Sequence, residues 1–207
     1  MATTELIFIR HGETDWNRAQ RFQGQIDVPL NALGHAQAAR LAQRLATAAP
    51  DALISSDLRR TRETSAPLAS AWGQTPLLDA AFREQHFGLF EGLDVPTIKA
   101  QHAELWAHWL EQRADFALPG GENLIQFHRR VMDAVQALAE QHSGRTLAIV
   151  THGGVLDMLW RTANGLRLSG LRACEIPNTG INRLRWCAGA LVIDGWADAA
   201  HLQGLAE

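Results

Sequence analysis

Two apolar runs in this chain end alike. "LIFIRHGE" delivers Arg10, His11 and then Gly12, and "LAIVTHGG" delivers His152 followed by Gly153 and Gly154. An imidazole at the end of a buried strand is rigidly held and can serve as nucleophile, base or ligand near neutral pH. Strands of a parallel sheet finish at one edge, so His11 and His152 can converge although they are far apart in the chain. A third segment, "ISSDLRRTRETS", offers Ser55, Ser56 and Asp57, any of which can cap the helix that follows. Arg59, Arg60 and Arg62 then fall in its first turns, where the helix dipole disfavours cations unless an anion is close. In the fourth, "FREQHFGLFEG", Glu84 and Glu91 sit among aromatics and glycines, where a carboxyl can act as a general acid.

Imidazoles and carboxyls also bind metals, so metal and phosphate compete as the target of this set. Fixed cations beside a divalent metal cost energy, whereas beside a phosphate dianion they gain it. Arginine also forks onto two phosphate oxygens, which lysine cannot do. Phosphate is therefore the expected ligand, and no metal site is expected. In this reading the strand fixes His11, Arg10 grips the anion, and Gly12 lets the backbone approach it.

The elements that must position these groups follow from hydrophobic spacing. Short strands are expected at Leu6–Ile9, Ala52–Ser55, Pro76–Leu78 and Thr146–Thr151. The longest are apolar at successive positions, so both faces of their sheet need cover. Helices supply it. One starts from Asn31 as N-cap with Ala38, Leu41, Leu45 and Ala48 on a stripe, and another runs from near Leu58 to just before Gly73. A third spans Glu122 to His142 with Leu124, Phe127, Val131, Val135 and Leu138 on one face, and a fourth follows Gly154. "INRLRWC" and "ALVIDGW" close as a hairpin around Ala188–Gly189. Strand–helix alternation predicts a three-layer α/β/α sandwich with a mostly parallel central sheet, residues 1–207 forming one domain. A less regular insertion at about 85–121, with Leu105, Trp106, Trp109 and Leu110 on a short stripe, is expected to cover the site.

Composition narrows the function classes. The chain has 207 residues, 46% of them apolar, and a formal charge of −3 with no Lys/Arg-rich run, which argues against nucleic acid as a partner. No apolar run is long enough to span a membrane and the N-terminal run is too short for a signal peptide, so a cytoplasmic protein without a membrane partner is expected. Cys174 and Cys187 read as buried free thiols. Trp72, Trp160, Trp186 and Trp196 suit a core better than an interface, which leaves homo-oligomerisation open. No Gly-X-Gly-X-X-Gly follows any strand, so a dehydrogenase-type nucleotide site is not expected.

These motifs together resemble the histidine phosphatase superfamily, the group that includes cofactor-dependent phosphoglycerate mutase. "RHGETDWN" is similar to the family's opening signature, and "RFQGQIDVPLNALGHAQA" to the segment that follows it. "SSDLRRTRETS" resembles its second-arginine motif, "REQHFGLFEG" its acid motif, "LPGGEN" the start of its long helix and "VTHGG" its second histidine. Asn123 stands where Ser is common, and Phe90 where Trp is common. The resemblance implies a phosphoglycerate mutase-like fold and selects Arg60 over Arg59 and Arg62 as a phosphate ligand. It further implies that neutral His11 attacks phosphorus and becomes a phosphohistidine. Arg10, Arg60 and His152 would neutralise the equatorial oxygens, with Asn17 as a neutral donor. Glu84 would protonate the departing alkoxide and then take a proton from water. Gln23 and Gly24 would lie beside the phosphate, and Gly153 would contribute backbone. Neither a metal nor an organic cofactor is implied, and the partner would be a small phosphorylated metabolite.

A mutase must hold a doubly phosphorylated intermediate away from water, which calls for extra positive charge at the pocket mouth. Between Gln85 and Gly121 the firm cations are Lys99 and Arg113, against Glu91, Asp94, Glu104, Glu111 and Asp115. The resemblance implies a longer, arginine-bearing insertion in mutases. The expected activity is therefore phosphomonoester hydrolysis, in the branch resembling α-ribazole and broad-specificity phosphatases, with a leaving group that is partly apolar or weakly charged. A 2,3-bisphosphoglycerate-dependent mutase and a phosphate-binding module without turnover are the alternatives.

Overall fold

Where successive apolar residues call for strands buried on both faces, strands form. The computed structural model describes residues 2–205. In chain order the elements are β1 (Thr4–Arg10), α1 (Asp15–Arg18), α2 (Ala32–Leu45), β2 (Ala52–Ser55), α3 (Arg59–Trp72) and β3 (Leu77–Leu78). They continue with α4 (Val95–Gln101), α5 (Ala103–Leu110), α6 (Leu124–Gln141), β4 (Thr146–Thr151), α7 (Gly153–Ala163), β5 (Ile181–Cys187) and β6 (Ala190–Asp198). One sheet has the order β3-β2-β4-β1-β5-β6, in which β1 to β4 pair in parallel and β5 and β6 are antiparallel.

The period-2 geometry of β1 and β4 explains the three layers. Leu6, Phe8, Leu147 and Ile149 pack against Phe127, Val131 and Val135 of α6 and Val155 and Leu159 of α7. The alternate residues Ile7, Ile9, Ala148 and Val150 pack against Leu41 and Leu45 of α2 and Leu68 of α3. Burying each Leu, Ile, Val or Phe among them contributes about 1.5–3 kcal/mol, so a polar substitution on either face of these two strands would be severe.

Local signals set the helix starts, with one correction. Asn31 accepts from the Gly34 amide at 2.8 Å, and Asn123 forms a reciprocal capping box with Gln126, performing the task a serine would. Ser55, Ser56 and Asp57 were expected to cap α3, yet its N-cap is Leu58, with no side-chain cap of its own. Asp57 is drawn away by Arg83, which donates Nε to it at 2.7 Å, and Asp27 from another loop accepts the Arg59 amide instead. Ala48 lies beyond the end of α2. Gly73 closes α3 at φ +63°, and Ala188 and Gly189 turn the β5–β6 hairpin at φ +50° and +80°.

Trp72, Trp160, Trp186 and Trp196 sit half-buried at the edges of the core. Trp72 donates to the Leu45 carbonyl at 2.8 Å, and Trp160 and Trp196 have ring centroids 4.9 Å apart. Cys174 and Cys187 are unpaired but only half-buried, because they lie at the margin of the core. In the excursion before α6, Trp106 and Trp109 join Phe22 and Phe87 around buried Phe90, Ile98 and Leu118, while Leu110 points to solvent. Among the described residues no helix is long and apolar enough to cross a membrane.

Candidate functional site

Register brings the two histidines together. β1 and β4 pair with Arg10 opposite Thr151, so the next residue of each strand end is His11 and His152. Their ring centroids stand 5.3 Å apart, and both rings are buried. The His11 Nδ1 lies 2.7 Å from the Gly12 carbonyl, which can only accept. Nδ1 must therefore carry the hydrogen, leaving the Nε2 lone pair free. The His152 Nδ1 accepts from Arg60 Nε at 3.2 Å, so its Nε2 carries the hydrogen and donates to Ser56 Oγ at 2.9 Å.

Burial, followed by the positive charge of Arg60, holds both imidazoles well below the usual histidine pKa. The unfolded chain takes up protons at these rings as pH falls through about 6.5, and the folded chain does not. The unfolded state then binds more protons, so stability drops by up to about 1.4 kcal/mol per pH unit for each ring. Tm of the ligand-free protein is expected to fall between pH 7 and pH 5, and to fall less steeply in His11→Ala. A slope that is the same in both proteins would contradict the burial of an uncharged His11.

Two arginines complete the charge. Arg60 is 1% exposed, and its Nη1 and Nη2 donate to the Ile26 and Gly24 carbonyls at 2.9 and 2.7 Å. Arg10 donates Nη1 to the Ile176 carbonyl at 2.7 Å, while its buried Nε has no hydrogen-bond partner among the described residues. Burial pushes both down to about 10, and for Arg10 the next cause is the nearby Arg172 cation. Both remain charged at neutral pH, and among the described residues neither has a carboxylate oxygen within 4.0 Å. Glu84 is the nearest strong counter-charge to both, yet it forms an ion pair with neither, and desolvated cations without a direct ion pair are costly, which suits the cavity they line to an anion. Arg59 instead pairs with Glu63 at 2.6 Å, and Arg62 stays exposed beside Asp27.

Arg10, His11, Asn17, Gln23, Gly24, Arg60 and Glu84 line one cavity of about 230 Å³. Thr14 orients both amides in it. The Asn17 Oδ1 accepts from the Thr14 amide at 3.1 Å, and the Gln23 Oε1 lies 3.0 Å from the Thr14 hydroxyl. Each oxygen is thus engaged, and the NH2 end is what each side chain can offer a ligand. Gly24 has φ +50°, and a Cβ there would fall 1.9 Å from Glu91 Oε1. Glu91 in turn accepts the Gln25 and Phe87 amides at 2.9 and 3.0 Å, so its carboxylate shapes the loop. Glu84 accepts the Gln85 amide on Oε1 and the Gly154 amide on Oε2, at 2.9 and 3.0 Å. A Cβ on Gly153 would lie 3.6 Å from both Arg10 and Arg172. The expectation for Gly12 is corrected: a Cβ there would meet the Gly34 carbonyl at 2.6 Å, so what its bare backbone accommodates is the start of α2.

Three residues of this neighbourhood escaped the sequence. Ser56 was visible only as a cap candidate, and Thr14 only as one letter of the "RHGETDWN" stretch. Arg172 lies in the aperiodic "RLSGLRACE" segment, where nothing marks one arginine above another. Together with Glu84 it lines a second cavity, of about 240 Å³, that meets the first at Glu84 and Phe87. Among the described residues no group of three or more His, Cys, Asp or Glu side chains is arranged to hold a metal ion.

Comparison with known proteins places these features in context. A family model described as "Histidine phosphatase superfamily (branch 1)" matches residues 6–199. Phosphoglycerate mutase-like protein 4 of Arabidopsis thaliana is 36% identical over 203 residues, covering 96% of this chain and 87% of that protein. The metal-independent phosphoserine phosphatase of Arabidopsis thaliana is 33% identical over 205 residues, covering 98% and 84%. The solved structure of a mycobacterial glucosyl-3-phosphoglycerate phosphatase in complex with VO3 superposes with a TM-score of 0.82 at 30% identity, covering 93% of this chain and 98% of that one.

Proposed function

The chain belongs to the histidine phosphatase superfamily, and on that premise we propose that it hydrolyses phosphate monoesters of small metabolites through a phosphohistidine on His11. The observation that carries this reading is the His11 ring itself. A backbone carbonyl holds its Nδ1 hydrogen, its pKa is depressed, and Nε2 is left as a neutral nucleophile in a cavity it shares with two guanidiniums that have no ion-pair partner among the described residues.

In this mechanism Nε2 attacks phosphorus in line, and the P–N bond forms as the ester P–O bond breaks. Arg10 and Arg60 take the charge on the equatorial oxygens, and the NH2 groups of Asn17 and Gln23 donate to them, with Gly24 in the pocket wall and Gly153 backbone packed beside Arg10. His152 holds Arg60 in place before substrate arrives. A dianion beside it offsets the repulsion from Arg60 and Arg10, so the ring can share the neutralisation once phosphate is bound. Glu84 gives its proton to the departing oxygen, then removes one from the water that breaks the P–N bond. His11 returns neutral and inorganic phosphate leaves. The segment at about 85–121 covers the leaving-group side, and the whole chain acts as one domain.

Mutase activity is the second reading, favoured by the name of the 36% identical relative. Against it, Arg113 in the covering segment is paired with Asp115 at 2.9 Å, and Lys99 lies over the Trp106 ring. Incubation with 3-phosphoglycerate and a trace of 2,3-bisphosphoglycerate separates the two. Inorganic phosphate is expected to appear faster than the isomer; isomerisation that outruns phosphate release would replace hydrolase with mutase. A module that merely binds phosphate would be stabilised by vanadate and release nothing.

A further inference from the structure

The compartment beyond Glu84 carries features that the chemistry at phosphorus does not use. Its volume of about 240 Å³ is several times the ~30 Å³ share of one water molecule, and Trp109, Phe116 and Phe127 give it apolar walls. Besides Glu84, its charged lining residues are Asp157 of α7, Arg172 and Arg113, the last already paired with Asp115 at 2.9 Å, and Gln85 and Gln112 add amides. Asp157 is 9% exposed; its Oδ2 accepts from Arg161 Nε at 2.9 Å, but its buried Oδ1 has no hydrogen-bond partner among the described residues. Arg172 Nε stands 4.0 Å from that oxygen, too far for a direct hydrogen bond. Native structures nearly always pair such an atom, so the gap calls for a ligand group.

The charges around the gap restrict what that group can be. An ammonium would satisfy Asp157 but face both Arg172 and Arg161. A carboxylate would satisfy Arg172 but face Asp157 and Glu84. Like charges that meet in a water-poor cavity are expensive. A hydroxyl satisfies both sides, donating to Oδ1 and accepting from Nε. An oxygen about 2.8 Å from each of two groups 4.0 Å apart sees them at roughly 90°, within reach of a hydroxyl's donor and acceptor directions. The aromatic walls suit the apolar faces of a ring.

We propose that Asp157 and Arg172 form a hydroxyl-reading subsite for the leaving group, so that the preferred substrates are phosphate monoesters of a neutral, polyhydroxylated ring. This rests on the hydrolase reading, with the ester oxygen at Glu84. Cyclohexyl phosphate and myo-inositol phosphate share a six-membered ring and differ in their hydroxyls. The wild-type protein is expected to prefer the inositol ester by about tenfold or more in kcat/KM. Asp157→Asn preserves shape, and its amide oxygen still serves Arg161, which turns the NH2 group toward Arg172 and leaves the gap without an acceptor. Arg172→Met keeps the aliphatic stem but removes the opposing N–H donor at a half-exposed position. Each substitution is expected to bring the inositol-to-cyclohexyl ratio close to one. Equal rates in the wild type, a preference that survives both substitutions, or a ring ester bearing a carboxylate or ammonium outrunning the inositol ester would overturn the subsite. If the wild type hydrolyses none of these esters and no aryl phosphate either, the hydrolase reading itself falls.

Discussion

Replacing His11 by alanine is expected to cut phosphate release from any monoester on the order of 10^4- to 10^6-fold, the loss typical of a removed nucleophile. The cause is local. Nε2 is the imidazole lone pair left free in the cavity that Arg10 and Arg60 also line, and water has no equivalent anchor in its place. The guanidiniums stay, so vanadate should still raise the Tm of the variant. Quenching the wild-type enzyme in alkali during turnover should trap an acid-labile phosphoryl group that His11→Ala lacks. Residual turnover above a few hundredths of the wild-type rate, or an unchanged trapped label, would remove His11 from the reaction.

Glu84→Gln is expected to lower kcat by about 10^2- to 10^4-fold on alkyl phosphates, the usual worth of a positioned general acid. The amide oxygen of the substituted side chain can still accept one of the two backbone amides that now hold the carboxylate, those of Gln85 and Gly154. Binding should therefore change far less than turnover. The loss should shrink on p-nitrophenyl phosphate, whose leaving group departs without a proton. A variant equally impaired on alkyl and aryl esters would assign Glu84 to positioning and leave proton transfer to another group.

Much of this was legible from local pattern. Successive apolar residues at Leu6–Ile9 and Leu147–Val150 place strands with two buried faces, and equivalent His-Gly endings in parallel strands meet at one edge of the sheet. Asn31 and Asn123 mark helix starts because capping depends on residues three apart. The choice of Arg60 among three arginines rested on resemblance, since helical spacing alone treats Arg59, Arg60 and Arg62 much alike. Packing shows the physical difference: Arg60 is drawn inward by the Gly24 and Ile26 carbonyls and the His152 ring, while its neighbours find Glu63 and Asp27 near the surface.

Competition between distant partners was beyond any local pattern. Asp57 is a fair cap until Arg83 claims it, and Asp27 becomes the cap only because its loop is folded over α3. Gly12 reads as an approach to the ligand until Gly34 is found against it. Arg172 carries no periodic or motif signal, yet it arrives beside Arg10 and Asp157 because the chain after α7 turns back over the strand ends. Spacing along the chain fixes which groups can do chemistry at phosphorus, since those groups ride on strands and helices whose geometry is periodic. The compartment beyond Glu84 is shaped by loops and buried charges that meet only when the layers close, because Coulomb and hydrogen-bond energies depend on distance in space and not on separation in sequence.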